Sequence, residues 1–356
     1  MDAAFRLLIT LAAATMTGIF LKKLKLPAGM LVGAILGSVL LGMTELAYMP
    51  YMGKFVAQLI TGAFVGCGMS RDRLRMLPKI TGPFALILVE LVTANALSGL
   101  LIWKMTNLDF LTAMLSTMPG GMTDTPLIAA EMGADVGYVA VLQFIRLIIS
   151  VAIIPSVIIR LDPCPQKEGH SAENVMQKGS KEEESKTSQS FLLLFLFAVC
   201  LFGACIGKQS GIPAGTLIGS MCGAIIAKVA FPKIVMPAWI KRFAQILAGA
   251  YIGCTVQRDQ IAALGRSFIL PGLIIITVYL LCSICTGLLI HRVFHRERRE
   301  SMLLATPGGA SDMALTAAEM GVFSTDLVFT QILRMVIVIS VFPQLIQLAA
   351  KLMGVG

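Results

Sequence analysis

The chain has 356 residues, 56% of them hydrophobic and only 14% charged, with a mean hydropathy of +0.83. A soluble domain carries roughly a quarter charged residues, so this composition excludes an ordinary water-soluble fold and points to an all-α polytopic membrane protein. The net charge of +9 fits Lys and Arg held in cytoplasmic loops; no basic face interleaved with aromatics suggests a nucleic-acid partner.

In chain order, apolar segments fall near 4–21, 28–49, 52–69, 80–103, 108–133 and 137–160. The first could pass for a signal peptide, but "LPAGMLVGAILGS" after it matches "IPAGTLIGSMCGA" after a later segment, which predicts a retained helix. A polar, charged stretch at 161–189 follows, with the composition of a mobile linker. Six more segments fall near 190–207, 214–231, 242–257, 267–290, 302–321 and 325–350. Cys67, Cys200, Cys205, Cys222, Cys254, Cys282 and Cys285 lie within apolar runs without CxxC spacing, which reads as packing rather than bridging.

The two sets of segments are copies. "VAQLITGAFVGCGMSRDRL" (56–74) aligns with "FAQILAGAYIGCTVQRDQI" (243–261), and "QFIRLIISVAIIP" (143–155) with "QILRMVIVISVFP" (331–343). "MPGGMTDTPLIAAEMGA" from Met118 returns as "TPGGASDMALTAAEMGV" from Thr306. The expected organisation is therefore a membrane repeat at 1–160, a linker at 161–189, and a second repeat at 190–356. Loop charge sets their orientation. Lys22, Lys23, Lys25, Arg71, Arg73, Arg75 and Lys79 follow segments one and three of the first half, whereas Lys228, Lys233, Lys241, Arg242, Arg292, Arg296, Arg298 and Arg299 follow segments two and four of the second. The halves should then be inverted, with Arg258 and Arg266 as the fewer contrary charges. Consecutive halves invert only if each crosses the membrane an odd number of times. Pro119-Gly120-Gly121 and Pro307-Gly308-Gly309 interrupt the fifth segments, where Pro removes a donor and Gly-Gly loosens the helix. The expectation is about ten transmembrane helices plus two PGG re-entrant hairpins; the alternative is a broken helix that crosses.

Broken backbone at membrane depth must be buried in protein or line a watery cavity, and free helix ends there bind ions and polar substrates. After each break stand Thr123-Asp124 and Ser311-Asp312. Their side chains could cap the new helix or hold a cation or proton. Glu131 and Glu319 lie two turns on, either buried for function or solvated at the interface, where Asp135 adjoins the first. Gln143 with Arg146, and Gln331 with Arg334, begin the sixth segments. The acids of the hairpin are the expected partners of these arginines; an anionic substrate group, or a release of the acids for protonation, is the other reading. Gln58 and Gln245 recur among small residues, a pattern of close helix packing first and polar lining second. Glu90 has no acidic counterpart in "IIITVYLLCSICTG", so it is either a lone proton carrier or a hydrogen-bonded structural acid.

"PGGxxDxxLxAAEMG" followed by "QxxRxxxxxxxxP", present in both halves, resembles the AbrB-duplication family of bacterial inner-membrane proteins. The likeness spans the chain outside the linker and implies a multi-pass protein of the bacterial inner membrane with a cytoplasmic linker. Two activities are attached to that family by name, regulation of gene expression and ammonia monooxygenation. The residues support neither chemistry. His170 lies in the linker and His291 and His295 in a basic loop, without metal-ligand spacing, and no soluble DNA-reading module is present. The architecture is similar to secondary transporters with paired hairpins, such as the glutamate/sodium and citrate symporter groups, an analogy of fold alone. The function expected is transport of a small polar or charged solute, coupled to H+ or Na+, without a further cofactor, metal or covalent catalysis. The bilayer, the solute and a second copy of the chain are the expected partners. The alternative is a membrane-embedded regulator acting through the linker.

Overall fold

The computed structural model describes residues 3–24, 29–44, 46–69, 75, 77–161, 186–234, 236–256, 268–308, 313, 317, 322 and 324–354. The linker lies outside them from 162 to 185, as do 309–312 and 318–321.

The described residues form fourteen α-helices. The first half contributes α1 (Ala3–Lys23), α2 (Gly29–Gly42), α3 (Tyr51–Cys67), α4 (Leu77–Met105), α5 (Phe110–Thr117), α6 (Asp124–Met132), α7 (Val136–Ile148) and α8 (Ile154–Leu161), with a π-helical turn, Ile149–Ile153, joining the last two. The second contributes α9 (Lys186–Gln209), α10 (Gly215–Ala230), α11 (Ala238–Thr255), α12 (Ile269–Phe294), α13 (Arg298–Ala305) and α14 (Thr325–Met353). Among the described residues, five helices are long and apolar enough to cross a membrane: Ala3–Lys23, Ile80–Met105, Leu192–Gln209, Ile269–Phe294 and Asp326–Met353. Leu8, Met16, Phe20, Leu194, Phe202 and Ile206 stand exposed on α1 and α9. Apolar side chains pointing outward are what a lipid solvent permits and water does not.

Packing divides the helices into two bodies. In one, α1 pairs with α2 and α9 with α10, and then α2 packs on α11, α3 on α10, and α3 on α11. Each half thus completes the other. Glycine makes these approaches possible. A Cβ on Gly33 would strike the backbone of Thr17 and Gly18, and Gly37 meets Ala13 in the same way, so α1 and α2 run antiparallel. Gly207 against Gly215 and Gly203 against Gly219 do the same for α9 and α10. Gly249 meets Leu31 and Ala34 while Gly253 meets Ile35 and Ser38, so α2 and α11 run parallel. Gly62 and Gly66, against Leu217–Met221 and Met221–Ile225, make α3 and α10 parallel too. Small residues let backbones close in where the solvent gives helices no hydrophobic reason to associate.

The second body holds α4–α8 with α12–α14. Its axis is α4 against α12, antiparallel, with Gly82 at Phe294 and Glu90 at Ser283. Its core is one apolar cluster that includes Leu91, Phe110, Leu115, Met118, Tyr279, Leu303 and Phe342. The bodies meet along a smaller seam in which Leu127, Val136 and Ala140 face Leu31, Ala57, Leu247 and Ile252.

Candidate functional site

The fifth segment does break where Pro-Gly-Gly stands, and the chain folds back on itself. Asp109 caps α5 by accepting from Thr112 N–H at 2.9 Å. The helix ends at Thr117, and Gly120 N–H returns to Met118 O at 2.8 Å in a tight turn about Pro119. α6 then runs back until Gly133, at φ 76°, ends it in the left-handed conformation that favours glycine. Asp135 N–H donates to Thr112 Oγ1 at 2.9 Å, which ties the exit of the hairpin to its entrance. In the second copy the described residues show the same turn and tie: Gly308 N–H returns to Thr306 O at 3.0 Å, and Ser324 Oγ donates to Glu300 Oε1 at 2.6 Å.

The tip of each hairpin is held by the helix that follows it. Gln143 Nε2 donates to Leu115 O, Ser116 O and Met118 O at 3.0–3.2 Å. Arg146 Nη1 donates to Met118 O at 2.9 Å and Nη2 to Gly120 O at 2.5 Å. In the second copy Gln331 Nε2 reaches Leu303 O and Thr306 O, and Arg334 reaches Thr306 O at 3.1 Å and Gly308 O. In the first copy the sequence expectation that the arginine pairs with the hairpin acids is therefore corrected; the acids of the second copy, Asp312 and Glu319, lie outside the described residues. A broken helix leaves its last carbonyls without N–H partners, and a guanidinium with five donors supplies several at once. Gln and Arg three residues apart share one face of α7 or α14, which is why the pair recurs as a unit.

Further groups fix the centre that the sequence did not single out. Tyr279 OH donates to Thr117 O from the other half. Asn95 Nδ2 donates to Met114 O at 3.0 Å and Thr117 Oγ1 at 2.9 Å. Ser150, in the π-helical turn, donates to Pro307 O at 2.8 Å, and Gly121 lies beside Met335. Each break is thus seated against the long helix of the opposite half. Glu90, 5% exposed, accepts from Ser283 at 3.2 Å. Arg146, Arg334, Glu90 and Tyr279 are electrostatic neighbours. The signal for Tyr279 was available, since it stands in the stretch matched to Glu90.

The acids separate into two environments. Asp124 is 1% exposed at the first turn of α6, and neither it nor Thr123 caps that helix; its Oδ1 and the Thr125 hydroxyl have no hydrogen-bond partner among the described residues. Glu131 is half-buried, its side chain 19% exposed, and its partners are not the arginines. Its Oε1 accepts from Gln58 Nε2 at 2.8 Å and lies 3.7 Å from Lys54 Nζ, and its Oε2 accepts from Ala214 N–H at 2.8 Å. Lys54 is 2% exposed, with the rings of Tyr51 and Tyr251 5.7 and 5.9 Å from its ammonium. Ala214 opens α10 in a left-handed conformation, so Glu131 joins the hairpin body to the glycine-packed body. Gln58 is thereby a partner of Glu131 rather than only a packing residue. Asp135 accepts from Tyr138 N–H at 3.0 Å as the cap of α7. Lys54 repeats as Lys241, a signal the sequence carried unread. Gly309, Ser311, Asp312 and Glu319 lie outside the described residues.

Comparison with known proteins agrees with the resemblance drawn from the motifs. The chain is 25% identical over 307 residues to "Uncharacterized protein YhjN" of Bacillus subtilis (strain 168), covering 84% of this chain and 79% of that one. It is 26% identical over 298 residues to "Putative regulator AbrB" of Escherichia coli (strain K12), covering 82% of each. The profile of the family described as "Transition state regulatory protein AbrB" matches residues 1–162 and 168–350, one stretch for each half, and the chain belongs to that family.

Proposed function

We propose that the protein is a secondary transporter of the bacterial inner membrane, moving a small polar or charged solute by alternating access between two inverted repeats. One observation carries this: two helix breaks, each pinned by a Gln/Arg pair, sit against the opposite half at one buried polar centre. Such half-helix ends are the binding element of transporters built from inverted repeats. The helix directions support inversion. With α3 returning antiparallel to α2 and α11 to α10 across short loops, the order is up-down-up in α1–α3 and down-up-down in α9–α11. Counting α7 with α8 as one span, ten helices cross and the hairpins α5–α6 and α13 onward re-enter from opposite faces. Asp124 and Asp312 bind the coupling ion, the linker 161–189 lies in the cytoplasm, and no covalent chemistry is involved.

Purified protein in liposomes, screened for uptake of labelled organic anions, amino acids and ammonium-like cations under imposed proton or sodium gradients, tests this. Uptake lost in Asp124→Asn with Asp312→Asn supports the site, and uptake that survives both overturns it. A regulator without flux is the second reading, favoured by the names of the family and of the Escherichia coli relative. Deleting 161–189 should then abolish the regulatory phenotype, whereas a transporter tolerates the cut.

A further inference from the structure

We propose that the coupling ion is a proton carried by the carboxyl of Asp124, and that Arg146 and Arg334 stand where a coupling sodium ion would need its ligands. This rests on the transporter reading and deepens it. Sodium at a broken helix is held by unwound backbone carbonyls, which replace its water. Among the described residues, seven of those carbonyls are already engaged. Thr117 O accepts from Tyr279, Met118 O from Gln143 and Arg146, Gly120 O from Arg146, and Gly121 O from the Asp124 and Thr125 amides. In the second copy Thr306 O accepts from Gln331 and Arg334, Pro307 O from Ser150, and Gly308 O from Arg334. At each tip one of the donors is a fixed cation, Arg146 or Arg334, 4% and 3% exposed. A metal cation placed there would displace a guanidinium and face its charge.

Asp124 offers the other kind of site. It is buried, with Oδ1 and the neighbouring Thr125 hydroxyl unpartnered among the described residues, too few oxygens to replace the shell of a metal ion but sufficient for one proton. Among the described residues, the elements packed on α6 leave Asp124 without a salt bridge. From α3, Lys54 is engaged by Glu131 at the far end of the helix. From α7 and α14, Arg146 and Arg334 are turned to the carbonyls. From α5, Asp109 caps its own helix. From α11, Lys241 acts only through space and lies 4.7 Å from the Phe64 ring. The step is simple to balance: the carboxylate takes one proton from one side of the membrane and releases it to the other after the hairpins exchange access.

Infrared difference spectra of the full protein in lipid vesicles, titrated with either sodium or potassium as the sole metal cation, test the proposal without knowledge of the solute. The expected result is a carboxylic-acid C=O band that falls about tenfold per pH unit above its midpoint, is the same in both salts, persists in Glu131→Gln and is lost in Asp124→Asn. A midpoint displaced by sodium, or an unchanged spectrum in Asp124→Asn, overturns it. If Asp124→Asn does not fold, Asp124→Glu should move the band in frequency, and a band left in place overturns the assignment. A titrating Asp124 in a protein that moves no solute overturns transport alone, because the band is read without flux.

Discussion

The two bodies of this protein solve one problem in opposite ways. Around α1–α3 and α9–α11, helices are held by backbone against backbone, with Gly207 and Gly215 in direct apposition, and hydroxyls tie the same helix pairs, Thr17 to Gly33 O and Ser220 to Leu59 O. Around α4–α8 and α12–α14, the backbone is broken, and buried side chains replace the lost helical bonds. The first arrangement keeps its helices unbroken, so its backbone groups find their partners within each helix. The second leaves carbonyls, a carboxyl and two guanidiniums in an apolar setting, each of which must be matched or must have a task.

Substitutions can break that contrast in order of size. Gly207→Leu would drive a side chain into the backbone of α10 and should cost about 3 kcal/mol or more, read as a fall in thermal unfolding temperature in detergent. Arg146→Met leaves Met118 O and Gly120 O without their donors and should cost about 2–4 kcal/mol. Its signature differs from that of the glycine variant: proteolysis and hydrogen exchange should rise at residues 115–124 while α1–α3 stay protected. Arg334→Met should do the same at 303–308. Glu131→Gln removes the ion pair with Lys54 and weakens the bond to Ala214 N–H, a loss of about 1–2 kcal/mol. Faster amide exchange at Ala214, with the hairpin tip unchanged, would sharpen the distinction between the junction and either body. Cys205→Ser, at an exposed position on α9, should change stability by less than about 0.5 kcal/mol, and a larger loss would place that face in an interface rather than in lipid.

Much of this was legible in the sequence because a duplication writes its constraints twice. The break at Pro119-Gly120-Gly121, the return helix ending at Gly133, and the Gln143–Arg146 pair follow from proline's missing donor, the left-handed cap and helical spacing. The segment expected at 137–160 is observed at 136–161, with a π-helical turn at 149–153 before Pro155; the matching Pro343 lies in an uninterrupted α14. What sequence could not supply was reach. Spacing put Asp124 and Arg146 in one hairpin unit, but only the fold-back places the guanidinium on carbonyls. Glu131 finds Lys54 from α3 and Ala214 from the other half, separations over which periodicity carries no information. Tyr279 was passed over because its stretch was searched for an acid, while the group needed there was a donor for Thr117 O.

The pairing of α2 with α11 and of α3 with α10 also bears on how the protein is made. A ribosome delivers α1–α3 to the membrane while the partners of Gly62, Gly66 and their neighbours are still unsynthesised. The first half must therefore wait, with glycine-lined faces open to lipid, until α10 and α11 arrive and close both interfaces together. Neither half is a finished domain. A gene cut between residues 161 and 186 should yield two fragments that are degraded when expressed singly and rescue each other when expressed together.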